Sequence, residues 1–149
     1  MNTKRLLVVA FVLVVVALGV LSASTVMSNA KYDAHSGEKW QTDVAAAQST
    51  AQSEGDLVLV YFWSSNCQYC EQFNSDLQNN GALQEAVDRY VLVSARIDEH
   101  PDLASQYGVE STPTIIVVTP EGTPVDRMNP VAVDSPANRL EKIHEQETT

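Results

Sequence analysis

The two cysteines of this 149-residue chain, Cys67 and Cys70, lie three apart in Trp63-Ser64-Ser65-Asn66-Cys67-Gln68-Tyr69-Cys70. Ahead of them, Leu57 to Trp63 is continuously apolar, β-branched and aromatic, the pattern of a strand buried on both faces. Ser64, Ser65 and Asn66 supply turn and cap chemistry, and Cys70, Phe73 and Leu77 share one face of a following helix. The pair is therefore predicted at a strand end and in the first turn of a helix. In sulfur chemistry the thiolate is the nucleophile, and the unpaired N–H groups and positive dipole end of a helix lower the pKa of a thiol placed there. Three residues on, the second sulfur lies on the same face and can attack a mixed disulfide formed by the first. On this reading Cys67 attacks, Cys70 resolves, and Gln68 and Tyr69 tune which redox state is favoured.

Two other readings compete. A zinc site would need further ligands from His35, His100 and His144, whose spacings match no common module. These three histidines read as scattered and solvated. An inert structural disulfide would close so short a loop that it restrains little of the unfolded chain.

The elements around the pair alternate. Trp40, Val44, Ala47 and Ala51 fall on a narrow apolar stripe, predicting a core-packing helix over residues 40–53 that Gly55 and Asp56 stop. After the motif helix, which Gly81 is expected to end, Leu83, Ala86, Val87 and Tyr90 mark another helical stretch. Val91 to Ile97 is a second buried strand. The acidic run Asp98-Glu99-His100-Pro101-Asp102 reads as a helix-capping turn before a short helix from Pro101 to Tyr107, closed by Gly108. Thr114 to Thr119 is a third strand, Pro124 to Met128 an antiparallel edge strand, and Pro136 opens a last helix to about Glu145. The expected fold is α/β: a three-layer sandwich around a small mixed sheet.

The amino terminus stands apart. Lys4 and Arg5 precede the apolar run Leu6 to Leu21, and no charge recurs until Lys31. As a helix the 25 uncharged residues would reach about 37 Å, enough for a bilayer core. Small polar residues ending Ser28-Asn29-Ala30 form a small-x-small cleavage site. Residues 1–30 are thus a signal peptide cut near Ala30 or a retained hydrophobic helix anchoring through residues 6–28; both readings stand. Either exports the remainder to a periplasmic or other extracytoplasmic space. Residues 31–39 read as a polar tether and 40–149 as the domain. The net charge of −10 argues against nucleic-acid binding, which needs a basic surface.

From about Trp40 to His144 the chain resembles the thioredoxin superfamily. The resemblance rests on the strand into Phe62-Trp63, on Cys67-x-x-Cys70, and on Tyr107-Gly108-Val109-x-x-Thr112-Pro113-Thr114 about forty residues beyond. It implies a thioredoxin-like fold and a redox-active disulfide needing no cofactor. It also implies a cis Thr112–Pro113 bond beside the disulfide, with the Thr112 backbone free to pair with a substrate strand. Trp63 is then expected to shield the site, its indole oriented by Asp98. Departures are as clear. Asn66 and Gln68-Tyr69 replace the tryptophan and Gly-Pro of thioredoxins proper. Tyr61 and Ser94 stand where those proteins bury an acid and a lysine, leaving Glu71 or a water to move the proton. The family's first strand has no clear counterpart in residues 31–39.

The leading expectation is an exported thiol–disulfide oxidoreductase acting on protein thiols and disulfides, with a lean to reduction and a membrane electron donor or acceptor. A thioredoxin-fold binding module without essential redox chemistry is the alternative. A third reading is a copper chaperone using Cys67, Cys70 and a histidine, although Met27 and Met128 are remote from the pair.

Overall fold

A computed structural model of the protein describes residues 7–16 and 29–149. It divides into two units, Met1–Lys31 and Tyr32–Thr149. In the first, residues 7–16 form a helix, α1, with exposed apolar side chains. Among the described residues no helix is long and apolar enough to cross a membrane. Leu6 and residues 17–21 of the apolar run, and Ser28 of the expected cleavage site, lie outside the described residues.

In the second unit a five-stranded sheet has the order β1-β3-β2-β4-β5. Strand β2 (Leu57–Trp63) is its centre, parallel to β3 (Tyr90–Arg96) and antiparallel to β4 (Thr114–Val118). Its alternate residues serve opposite layers, as the two-residue strand period requires. Leu59 and Tyr61 pack with Phe73, Leu77 and Leu140, whereas Val58, Val60 and Phe62 pack with Ala47, Ala51 and Ala104. One layer therefore holds α2 (Val44–Glu54) and α5 (Pro101–Gln106). The other holds α3 (Gln68–Asn79), α4 (Gly81–Val87) and α6 (Pro136–Glu147). This is the expected three-layer sandwich, and β5 (Pro124–Met128) is the expected antiparallel strand at its edge.

Three local expectations are corrected. The first helix starts at Val44 and not at Trp40, because Asp43 caps it by accepting the Ala46 N–H at 3.1 Å. Trp40 and Gln41 instead form β1, paired with Leu92 and Val93 of β3. The Trp40 indole joins the cluster containing Tyr61, on the opposite face of the sheet from Ala47 and Ala51. The first strand that the family pattern required is thus present, only two residues long and just after residues 31–39. Gly81 likewise begins a helix. Asn80, in extended backbone, ends α3 and caps α4 by accepting the Leu83 N–H at 3.2 Å.

The third correction concerns residues 31–39, which are no tether beyond Lys31. Tyr32 and Ala34 are 6% and 0% exposed. Ala34 is gripped from two layers: its N–H donates to Asn74 Oδ1 at 2.6 Å, and its carbonyl accepts from Ser94 Oγ at 2.6 Å. Asn74 Nδ2 also donates to Asp33 Oδ1 at 3.1 Å, and Tyr32 donates to Asp88 at 2.6 Å. The segment is polar in composition because its polar groups have specific partners and only two of its residues carry the packing. Replacing buried Asn74 by Ala strands the Ala34 N–H, so Asn74→Ala should destabilise the protein by about 1–3 kcal/mol, read as a lower urea midpoint at unchanged m-value.

Candidate active site

The turn Ser64–Asn66 carries the chain from the end of β2 to Cys67, which is the N-cap of α3 in extended backbone. The Cys67 carbonyl accepts the N–H groups of Cys70 and Glu71, both at 3.1 Å, and its sulfur also accepts the Cys70 N–H at 3.1 Å. Sγ of Cys67 thus sits against the donor end of the helix, where negative charge on sulfur is favoured. The two cysteines are disulfide-bonded, with Cα atoms 5.2 Å apart. Their environments differ. Cys70 is fully buried, whereas Cys67 is partly exposed and Asn66, Gln68 and Tyr69 are exposed around it. An incoming sulfur therefore meets Cys67 first.

The Thr112–Pro113 bond is cis, and Pro113 is buried. Phe62 pairs with Thr114 in the register of β2 and β4, which brings this loop beside the motif. Ser64 Oγ and Thr112 Oγ1 lie 2.9 Å apart and tie the two loops together. Thr114 Oγ1 donates to the Ser111 carbonyl at 2.8 Å and closes the turn. Of the residues the sequence marked, Cys67, Cys70, Trp63, Thr112 and Pro113 are gathered at this end of β2. Gln68 and Tyr69 form its exposed rim.

Asp98 does not orient Trp63. The indole N–H donates to Ser94 Oγ at 2.9 Å, and Asp98 is an exposed partner of Arg96 at 3.0 Å. Ser94 and Tyr61 are register partners on β3 and β2, so the Ser94 hydroxyl lies buried beside the indole. Asp98 stands beyond the end of β3, held by the nearer guanidinium.

The reading of the histidines is also corrected. The His144 ring packs edge-on against Tyr90, with centroids 5.4 Å apart, and its Nε2 lies 3.8 Å from Asp56. His35 enters the site itself. Its ring lies parallel to the Trp63 indole at 4.0 Å between centroids and is stacked with Tyr61 at 6.1 Å. Nδ1 faces Glu71 Oε1 at 3.6 Å. Burial lowers the His35 pKa below the ordinary imidazole value, against the opposing pull of Glu71 and then Asp33. Tyr61 underlies the helix start, with its hydroxyl 3.4 Å from the Cys70 carbonyl, and burial pushes its phenol up. The sequence weighed His35 only as a metal ligand and marked neither Asn74 nor Asp33, because the stretch holding His35 and Asp33 is polar and remote from the motif.

Among the described residues no group of three or more His, Cys, Asp or Glu side chains is placed to hold a metal ion, so the zinc and copper readings find no ligand set there. A groove of about 770 Å³ between the starts of α2 and α5 is lined by Asp43, Glu99 and Asp102 among others, and by none of the site residues.

A helix-capping cysteine, a buried partner and a cis-proline loop on an α/β sandwich define a redox-active disulfide site. The thioredoxin-like domain family matches residues 44–147, and the chain belongs to that family. Thioredoxin 1 of Synechococcus elongatus is 32% identical over 102 residues, covering 68% of this chain and 92% of that protein. A disulfide bond formation protein of Brevibacillus choshinensis is 39% identical over 82 residues, covering 52% of this chain and 64% of that protein. A solved thioredoxin from Thermus thermophilus shares the fold at a TM-score of 0.57 and 26% identity, over 72% of this chain and 85% of its own. With Cys67 and Cys70 in place, the chain is a disulfide oxidoreductase.

The difference in exposure makes the two thiols distinguishable. In the reduced protein, iodoacetamide should label Cys67 at least about 10-fold faster than Cys70, as resolved by peptide mass spectrometry. Equal labelling would contradict the assignment of the two sulfurs.

Proposed function

We propose that the protein reduces disulfides of other proteins outside the cytoplasmic membrane. The observation that carries this is the pairing of an accessible, helix-capping Cys67 with a buried Cys70 beside the Thr112–Pro113 loop. In the reaction Cys67 thiolate attacks a substrate disulfide, forming a mixed disulfide and expelling one substrate sulfur as thiolate. Cys70 thiolate then attacks Cys67 Sγ, the Cys67–substrate bond breaks, and the second substrate thiolate leaves. Two electrons pass from the dithiol to the substrate, and the Cys67–Cys70 disulfide remains for a donor to reduce. No cofactor takes part, since the electrons reside on sulfur.

Three features support the finer points. The partly exposed Cys67, the exposed Tyr69 and the backbone of Thr112 suit an extended polypeptide that pairs as a strand. For the direction, the support is charge. No cation lies within or immediately beside the motif, and Glu71 in the first turn opposes the helix dipole at the thiolate. A thiolate stabilised only by the helix end favours the disulfide less as an oxidant and more as a spent reductant. The location rests on Lys4 and Arg5 followed by the apolar run Leu6 to Leu21, a signal or anchor that leaves the remainder outside, reduced by a membrane donor.

The reduction potential of the pair against glutathione buffers should fall near the thioredoxin value of about −270 mV, and a value near about −120 mV would make the protein an oxidant. Cys70→Ser should trap protein substrates as mixed disulfides that dithiothreitol releases, and Cys67→Ser should trap none. For the location, a reporter enzyme that matures only outside the cytoplasm, fused after Thr149, should be active, and activity only of a cytoplasmic reporter would refute export.

A further inference from the structure

The resolving step asks where a proton goes. Cys70 is fully buried, and its thiol must lose a proton before its sulfur can attack Cys67. The groups around it narrow the choice. Tyr61 holds its own proton, since burial pushes the phenol up and its hydroxyl faces the Cys70 carbonyl. Asp33 is raised by burial but held low overall by hydrogen bonds from the His35 N–H, the Ser36 hydroxyl and the Asn74 amide, so its lone pairs are engaged. Ser94 is engaged between the Trp63 indole and the Ala34 carbonyl.

His35 differs from all of these. Its side chain is only 14% exposed, Nδ1 faces the Glu71 carboxylate, and Nε2 is buried with no hydrogen-bond partner among the described residues. Trp40 Nε1 and His144 Nε2 share that state, but of the three only His35 stacks on the Trp63 indole beside the motif. A carboxylate at Nδ1 favours the tautomer with the proton there, which leaves the Nε2 lone pair free to accept one. The ring stacks on Trp63 and Tyr61, and Tyr61 and Glu71 both border Cys70: one through its hydroxyl, the other as the next residue of α3.

Resting on the oxidoreductase reading above, we propose that His35 is the proton-holding residue of the site, its Nε2 taking up the proton that Cys70 releases in the resolving step. The Cys70 S–H bond breaks, the proton goes to Nε2, and the sulfur's electron pair forms the bond to Cys67 Sγ as the substrate thiolate departs. Glu71 at Nδ1 then balances the imidazolium, and the proton returns to solvent or to the departing thiolate. Burial keeps the imidazole neutral near neutral pH, ready to accept. Its charged neighbours are Glu71 from α3 and Asp33 from its own segment, with Tyr61 from β2 neutral. The base therefore comes from the segment before β1, held in place by Asn74 and Ser94.

A chromogenic aromatic disulfide tests this on the reduced full chain, because attack by Cys67 releases the first coloured thiol and resolution by Cys70 the second. Followed by stopped flow from about pH 5 to 9, the first-order rate of resolution, taken once attack is complete, should fall on the acid side in the wild type, as solvent protons occupy His35. In His35→Gln the resolution rate at neutral pH should drop about 100-fold and lose that acid limb. Glu71→Gln removes the carboxylate that raises the imidazole pKa, so there the acid limb should move to lower pH. A wild-type resolution rate and profile in His35→Gln would overturn the proposal. Should His35→Gln lack the native circular dichroism, an unmoved acid limb in Glu71→Gln would overturn it instead. Absence of any thiol release by the wild type would sink the oxidoreductase reading itself, a result distinct from loss of the acid limb alone.

Discussion

Strand β2 has neither a free edge nor a free face: β3 pairs along one side, β4 along the other, and Leu57 to Phe62 are buried between two helical layers. A one-residue slip would turn Leu59 and Tyr61 into the layer of Ala47 and Ala51, and every partner would be lost. The register is therefore fixed, and with it the point where the chain leaves the sheet at Trp63. The cysteine pair begins four residues later, at the start of α3, whose Phe73 and Leu77 are buried on the same layer as Tyr61. Because β4 is locked to β2 through Phe62 and Thr114, the cis-proline loop arrives at the same place.

The site is completed by a second constraint. Asn74 of α3 and Ser94 of β3 grip Ala34 from two layers, which seats His35 against Trp63. Ser94 serves twice, accepting the Trp63 indole N–H and donating to the Ala34 carbonyl. One buried hydroxyl thus sets both the orientation of the Trp63 indole and the position of the imidazole on its face. Had an acid or a lysine stood at Ser94, its buried charge would have needed a partner that Tyr61 does not offer.

Charge at the site follows from these placements. The end of α3 is a fixed positive contribution at Cys67, and the nearest side-chain charge on that helix, Glu71, is negative. A protonated His35 would offset Glu71, but burial disfavours that form. The same neighbours that set the charge around the pair thus also bear on the protonation of the imidazole.

Periodicity and local chemistry are written in the residues themselves, so the sequence alone determined the order of most elements, the three layers, the Cys67–Cys70 pair at a strand end and the Thr-Pro loop. An apolar run such as Leu57 to Trp63 has one way to be buried, and a helix stripe has one face. Where local signals competed, it decided less well. The Trp40 to Ala51 stripe was helical in spacing, yet Asp43 capped the helix and sheet pairing claimed Trp40; Gly81 looked like a stop, but Asn80 held the cap. Only the tertiary structure brought His35 to Trp63, replaced Asp98 by Ser94 as the indole's partner, and folded Tyr32 and Ala34 into the core. These are contacts between residues 28 to 60 positions apart. Each is made by a single hydrogen bond or ring face, and a chain has no local period that records which distant partner will satisfy it.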